Sequence, residues 1–120
     1  MQQISLLEVK SKVSDYNFLS IKEVIVNWYN EQFYNKDDVI ISKDTDDILI
    51  IDFDFKKCLA QLTVSKANNN PFQFIYFEAV DFENESNIYY FYDNENMNQK
   101  EVLNALVKAY KFCLDYRMCE

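Results

Sequence analysis

The chain has 120 residues and a net charge of −8, from 12 basic residues against 20 acidic ones, and it contains no histidine. That length makes one domain with a core of its own, and the charge excludes binding of nucleic acid or anionic lipid through a basic surface. Lack of histidine removes His-based triads, most zinc hydrolase sites and the commonest general base at neutral pH.

With 49% hydrophobic residues, ten Phe and nine Tyr among them, the chain is too apolar to be disordered. In chain order, Ile4, Leu6, Leu7, Val9 and Val13 predict a short first helix. Ser20-x-x-Glu23 reads as a capping box, and Ile21, Val24, Ile25, Trp28, Tyr29 and Phe33 then recur at helical spacing, so a helix is expected from Ser20 with one apolar face. That aromatic stripe is read as core.

From Val39 the period changes to two. Ile48 to Phe55 alternates Asp52 and Asp54 against Leu49, Ile51, Phe53 and Phe55, the pattern of a half-buried strand. Further strands are expected over Cys58 to Val64, Phe72 to Phe82 and Ile88 to Tyr92, with Val39 to Ser42 as a fifth, short edge strand. The connections are short, which implies an antiparallel meander. Glycine is absent and proline occurs once, as Pro71, so positive-φ turns are expected to fall to Asn68, Asn69, Asn70, Asn84, Asn87, Asn94 and Asn96.

A last helix is expected from Asn98, with Glu101 as its capping partner, to near Arg117. Its polar face would carry Lys100, Asn104, Lys108, Lys111 and Asp115; its apolar face, Val102, Leu103, Leu106, Val107, Tyr110 and Leu114. The expected fold is therefore a single α+β domain over residues 1 to 120: an antiparallel four- or five-stranded meander packed by an N-terminal and a C-terminal helix. If both helices cover one face of the sheet, the other is left open.

Cys58, Cys113 and Cys119 are odd in number and lack C-x-x-C spacing, so neither a disulfide framework nor a zinc site is indicated, and a reducing cytoplasm is the expected compartment. No stretch approaches the roughly 20 apolar residues that span a bilayer, and no signal-peptide pattern opens the chain. No cofactor is indicated. Asp52-Phe53-Asp54 at the end of a hydrophobic strand has the Asp-x-Asp form by which haloacid-dehalogenase-type phosphatases present nucleophile and acid/base. Against it, Lys56 stands where Thr or Val is expected, no glycine supports a phosphate loop, and the chain is short for that fold. Asp44-x-Asp46-Asp47 has the start of a calcium loop without its glycine or distant glutamate.

Charge is divided unevenly. Residues 37 to 54 carry seven acids and Lys43, and residues 78 to 95 carry six acids and no base; together they hold −12 of a chain total of −8, so the remainder is +4. Such concentration steers basic partners and points to a binding protein rather than an enzyme. The residues expected to contact a partner are Asp44, Asp46, Asp52, Asp54, Tyr76, Glu78, Glu83, Glu85 and Asp93, with aromatic area supplied by Tyr76 and steering by the acids. Alternatively, Tyr76, Tyr90 and Tyr92 complete the core and the acids keep the sheet edges soluble. Reversing Glu83, Glu85 and Asp93 together is expected to leave stability nearly untouched and to slow association.

A helix carrying Asn27-Trp28-Tyr29, the strand from Leu49 to Phe55, Ala60-Gln61-Leu62-Thr63-Val64, a Phe-rich strand ending near Asp81 and a closing Leu-rich helix resemble small bacterial immunity proteins of the TriTu type. The resemblance covers residues 20 to 117 and rests on element order and residue character, with Asn where such proteins would carry turn glycines. It implies a cytoplasmic protein of a contact-dependent growth inhibition system. Such a protein binds the toxic C-terminal domain of an effector one to one, often an RNA-cleaving nuclease, with translation elongation factor Tu linked through the toxin. It implies stoichiometric blockade and no catalytic residues. Two other readings stay open: an acidic cytoplasmic secretion chaperone, which would be a dimer holding an extended segment, and a small metal-dependent enzyme using Asp52 and Asp54.

Overall fold

The computed structural model describes residues 16–66 and 73–116. The helix expected over Ile4 to Val13, the Asn68 to Asn70 turn, Cys119 and Arg117 lie outside the described residues. The elements are helix α1 (Phe18–Gln32), strands β1 (Val39–Asp44), β2 (Ile48–Asp54), β3 (Cys58–Ser65), β4 (Ile75–Asp81) and β5 (Asn87–Tyr92), and helix α2 (Gln99–Asp115). The strands form one antiparallel sheet in the order β1-β2-β3-β4-β5, the expected meander with its fifth strand present.

Helix α1 starts earlier than Ser20. Asn17 is the N-cap, its side chain accepting from the Ser20 N–H at 2.9 Å, while Glu23 is exposed. Two cap-competent residues stand three apart, and the earlier one prevails because it brings Phe18 into the helix, onto the buried stripe of Ile21, Ile25 and Trp28. Phe33 caps the other end, its N–H donating to the Tyr29 carbonyl at 2.8 Å and its ring packing edge-on against Trp28 at 5.0 Å and Phe53 at 5.8 Å.

In the sheet the two-residue period divides the faces cleanly. Leu49, Ile51 and Phe53 of β2, Ala60, Leu62 and Val64 of β3, and Ile75, Phe77 and Ala79 of β4 are buried. Both helices lie on that face: Phe33 meets Tyr110 at 5.0 Å, Tyr110 meets Phe55 at 5.5 Å, and Tyr89 meets Phe112 at 4.9 Å. Each large apolar side chain so buried contributes about 1.5–3 kcal/mol, which makes this layer the main source of stability. Edge strand β1 carries a bulge between Ile41 and Lys43, a device that blunts an edge.

The turns depart from expectation. Among the described residues positive φ is taken by Asn35 (70°), Lys56 (72°) and Glu85 (60°), so only one of these three positions is Asn. Asn84 and Asn94 act through their side chains instead, accepting from the Ser86 and Asn96 N–H groups at 2.9 Å in each case. A side-chain carbonyl here imitates a backbone one.

Helix α2 has the expected reciprocal cap: Asn98 Oδ1 accepts from the Glu101 N–H at 2.8 Å and Glu101 Oε1 from the Asn98 N–H at 3.0 Å. Val102, Leu106, Ala109 and Cys113 are its buried face. Leu114, placed on the apolar face by periodicity, is 51% exposed, because that stripe is completed by the smaller Ala109 and Cys113 where the helix approaches the sheet.

Two acids among the described residues are inside. Asp93, at the end of β5, is 0% exposed; its carboxylate accepts from the N–H groups of Gln73 and Phe74 at 2.9 Å and Ile75 at 2.8 Å, and from the Tyr16 hydroxyl. Burial, then the bond to Asp93 and its charge, push the Tyr16 phenol well above its ordinary value. Asp81, at the end of β4, accepts from the Glu83 and Asn84 N–H groups at 2.8 and 3.2 Å and from the Tyr116 hydroxyl at 2.6 Å. One carboxylate therefore ties the chain entering α1 to the sheet, and the other ties the chain leaving α2. No helix among the described residues is long and apolar enough to cross a membrane.

Candidate interaction surface

The sheet face away from the helices carries the residues of opposite parity, and the strand register places them in rows. Ile40, Asp52, Gln61, Glu78 and Tyr90 are successive cross-strand partners over all five strands. Beside them run Ile50, Thr63, Tyr76 and Tyr92, and on the other side Asp54, Leu59 and Val80. A concavity of about 570 Å³ lies on this face, with Asp37, Asp38, Asp52, Asp54 and Glu78 among its walls and Ile40, Leu59 and Val80 as apolar surface. Among the described residues that line it there is no Lys or Arg.

Neutral donors hold two of these carboxylates in place. Gln61 Nε2 donates to Asp52 Oδ1 at 2.9 Å, and the Tyr76 hydroxyl to Glu78 Oε2 at 2.5 Å. Neither donor carries a cation, so the position of each acid is fixed while its charge is retained. The bond to Glu78, with partial burial and the Glu78 charge, pushes the Tyr76 phenol up to about 12. At the end of β2, Asp54 Oδ1 accepts from the Lys56 N–H at 2.9 Å and shapes the β2–β3 turn. Burial and then the charge of Asp38 raise Tyr110 on the other side of the sheet.

Of the nine expected contact residues, Asp52, Asp54, Tyr76 and Glu78 are brought together here. Asp44 is not; it is ion-paired with Lys22 Nζ at 2.7 Å, which also donates to the Thr45 carbonyl at 2.8 Å and ties α1 to the β1–β2 turn. Asp46 is exposed in that turn, at the sheet end remote from Asp54. Glu83 and Glu85 are exposed in the β4–β5 turn, outside the concavity. Asp93 is a correction: it is a buried acceptor for three backbone donors and cannot meet a partner. Reversing its charge with Glu83 and Glu85 would place an uncompensated cation inside the protein and would not leave stability untouched.

Asp37 and Asp38 were not among the expected contacts, although they sit in the acidic stretch; the β1–β2 pairing carries them to the same wall as Asp54, with the Asp54 N–H donating to the Asp38 carbonyl at 2.8 Å. Tyr90 and Tyr92 do not complete the core. They are 61% and 37% exposed, and their rings stand nearly parallel, 6.0 Å apart at 15°. The Asp-x-Asp pair is built into the sheet, with Asp52 mid-strand opposite Gln61 and Asp54 serving a turn. Among the described residues no group of three or more His, Cys, Asp or Glu is arranged to hold a metal ion.

Comparison with known proteins returns no matching family model, no matching curated protein and no matching solved structure.

Proposed function

We propose that this chain is an immunity protein that binds and neutralises the toxic C-terminal domain of a contact-dependent growth inhibition effector, an RNA-cleaving nuclease. The observation that carries the reading is the open sheet face with five carboxylates around one concavity and no base among the described residues that line it. A nuclease presents cations where it holds phosphates, and an acidic face of this kind covers them and steers their approach. Five strands at about 4.8 Å spacing and seven residues at about 3.3 Å give a footprint of about 24 by 23 Å before side-chain relief, so with its flanking turns the face approaches one partner's share of a standard interface. It acts by occlusion in the cytoplasm of the producing cell, one chain to one toxin domain, with elongation factor Tu linked through the toxin. The resemblance to TriTu-type immunity proteins supports the same reading.

The test is affinity capture from the native cell lysate at low salt, run in parallel with wild type and with an Asp52→Asn, Asp54→Asn, Glu78→Gln variant, followed by a ribonuclease assay of what is retained. The expected result is a basic domain released by salt, lost by the variant, and inhibited completely at one equivalent of the chain. Retention of an extended secretion substrate by a dimer, or of no basic domain at all, would overturn the proposal.

A further inference from the structure

Resting on that reading, we infer that the corner of the open face formed by Tyr76, Glu78, Tyr90 and Tyr92 is an arginine-recognition site that takes a guanidinium from the basic protein partner. Register places Tyr76 opposite Tyr92 and Glu78 opposite Tyr90, so the four side chains form a square of cross-strand neighbours, spaced about 5 Å apart at Cβ across the strands. Three sides are aromatic and the fourth is a carboxylate already oriented by the Tyr76 hydroxyl. Tyr76 and Glu78 also line the concavity, so the square is its aromatic rim.

Charge complementarity selects the occupant. A nucleic acid or a second copy of this chain would bring negative charge to Asp52 and Glu78, whereas a basic protein brings the opposite sign. Geometry then selects arginine over lysine. A guanidinium is planar, stacks on an aromatic face and presents a fork to a carboxylate, while an ammonium is a compact, strongly hydrated point charge. The Tyr90 and Tyr92 rings are 6.0 Å apart, too close to admit a planar group between them, which needs about 3.5 Å on each side. The guanidinium therefore lies over an exposed outer ring face, with its fork directed at Glu78.

The experiment titrates the full chain with two probes of equal length and charge, an arginine octapeptide and a lysine octapeptide, by isothermal calorimetry at low salt. Arginine is expected to bind about fivefold more tightly than lysine, the upper size of one exposed stacking contact. Tyr90→Leu with Tyr92→Leu should erase that preference while leaving the lysine affinity in place, and Glu78→Gln should weaken both peptides. These positions are exposed or half-buried on the open face, and an unchanged melting temperature verifies that each variant is folded. Equal affinity for the two peptides, or a preference that survives in the double leucine variant, overturns the inference. Failure of the inhibitor reading shows elsewhere, as a capture that retains no basic domain, so the two failures are distinguishable.

Discussion

Replacing Asp93 by alanine tests whether this acid belongs to the fold and not to the acidic surface. Four donors converge on its carboxylate. In the variant the Gln73 N–H keeps a backbone acceptor, the Asp93 carbonyl at 3.3 Å, and the half-buried Tyr16 hydroxyl can turn to water. The Phe74 and Ile75 N–H groups lose their acceptor inside the protein. Each unsatisfied buried donor costs about 1–3 kcal/mol, and removing a buried carboxylate recovers part of its own desolvation, so the net loss is about 3 kcal/mol. Against a total of about 5–15 kcal/mol for a domain of this kind that loss is large. Asp93→Asn keeps one carbonyl for the backbone donors and should lose only about 1–2 kcal/mol. Urea unfolding followed by the fluorescence of Trp28, the single tryptophan and a buried one, reads both values. A loss below about 1 kcal/mol for Asp93→Ala, at an unchanged denaturant slope, would refute the reasoning.

Lys56→Gly and Glu85→Gly should each stabilise the protein by about 0.5–1 kcal/mol, since both residues hold positive φ, whereas Asn35→Gly should gain only a few tenths because Asn tolerates that region; the same unfolding assay measures all three. Tyr76 should ionise near 12 in an absorbance-monitored alkaline titration, and Glu78→Gln should bring it down towards 10, because a neutral amide carbonyl replaces the charged acceptor. Because its folded value is raised, the stabilisation from the neutral phenol is complete below about pH 10 and is lost as pH rises through about 12. Burial pushes the Cys113 thiol up to about 12, and burial also raises Cys58, so neither should be alkylated at pH 8 faster than the chain unfolds. Peptide mapping of iodoacetamide adducts checks this, and rapid native labelling at Cys58 or Cys113 would contradict it.

What could be read from the sequence was what is decided locally. The α2 cap needs only Asn98 and Glu101, and the faces of β2 follow from strict alternation, so both emerged from pattern alone. The start of α1 did not, because Asn17 and Ser20 are equal as caps and the burial of Phe18 decides between them. Asp93 looks in sequence like its neighbour Glu95. It differs only because the N–H groups of Gln73 to Ile75, some 20 residues away, converge on it. The site was half visible for the same reason. Parity placed Asp52 and Asp54 outward and set Tyr76 and Glu78 on one face of their strand, but joining them to Asp37, Asp38, Tyr90 and Tyr92 required knowing which strands pair and which face the helices leave open. Asp44 shows the converse: its partner Lys22 lies on another element, and no local signal separates a paired acid from a bare one.

The central claim is that the acids of the open face meet the partner, and its most direct test is the association rate of the captured basic domain at low and at physiological salt. Wild type should associate fast at low salt and slow steeply as salt rises. The Asp52→Asn, Asp54→Asn, Glu78→Gln variant should associate about tenfold more slowly at low salt, with a flatter salt dependence and an unchanged melting temperature. An association rate and salt slope equal to those of wild type would contradict the account and move the interface off this face.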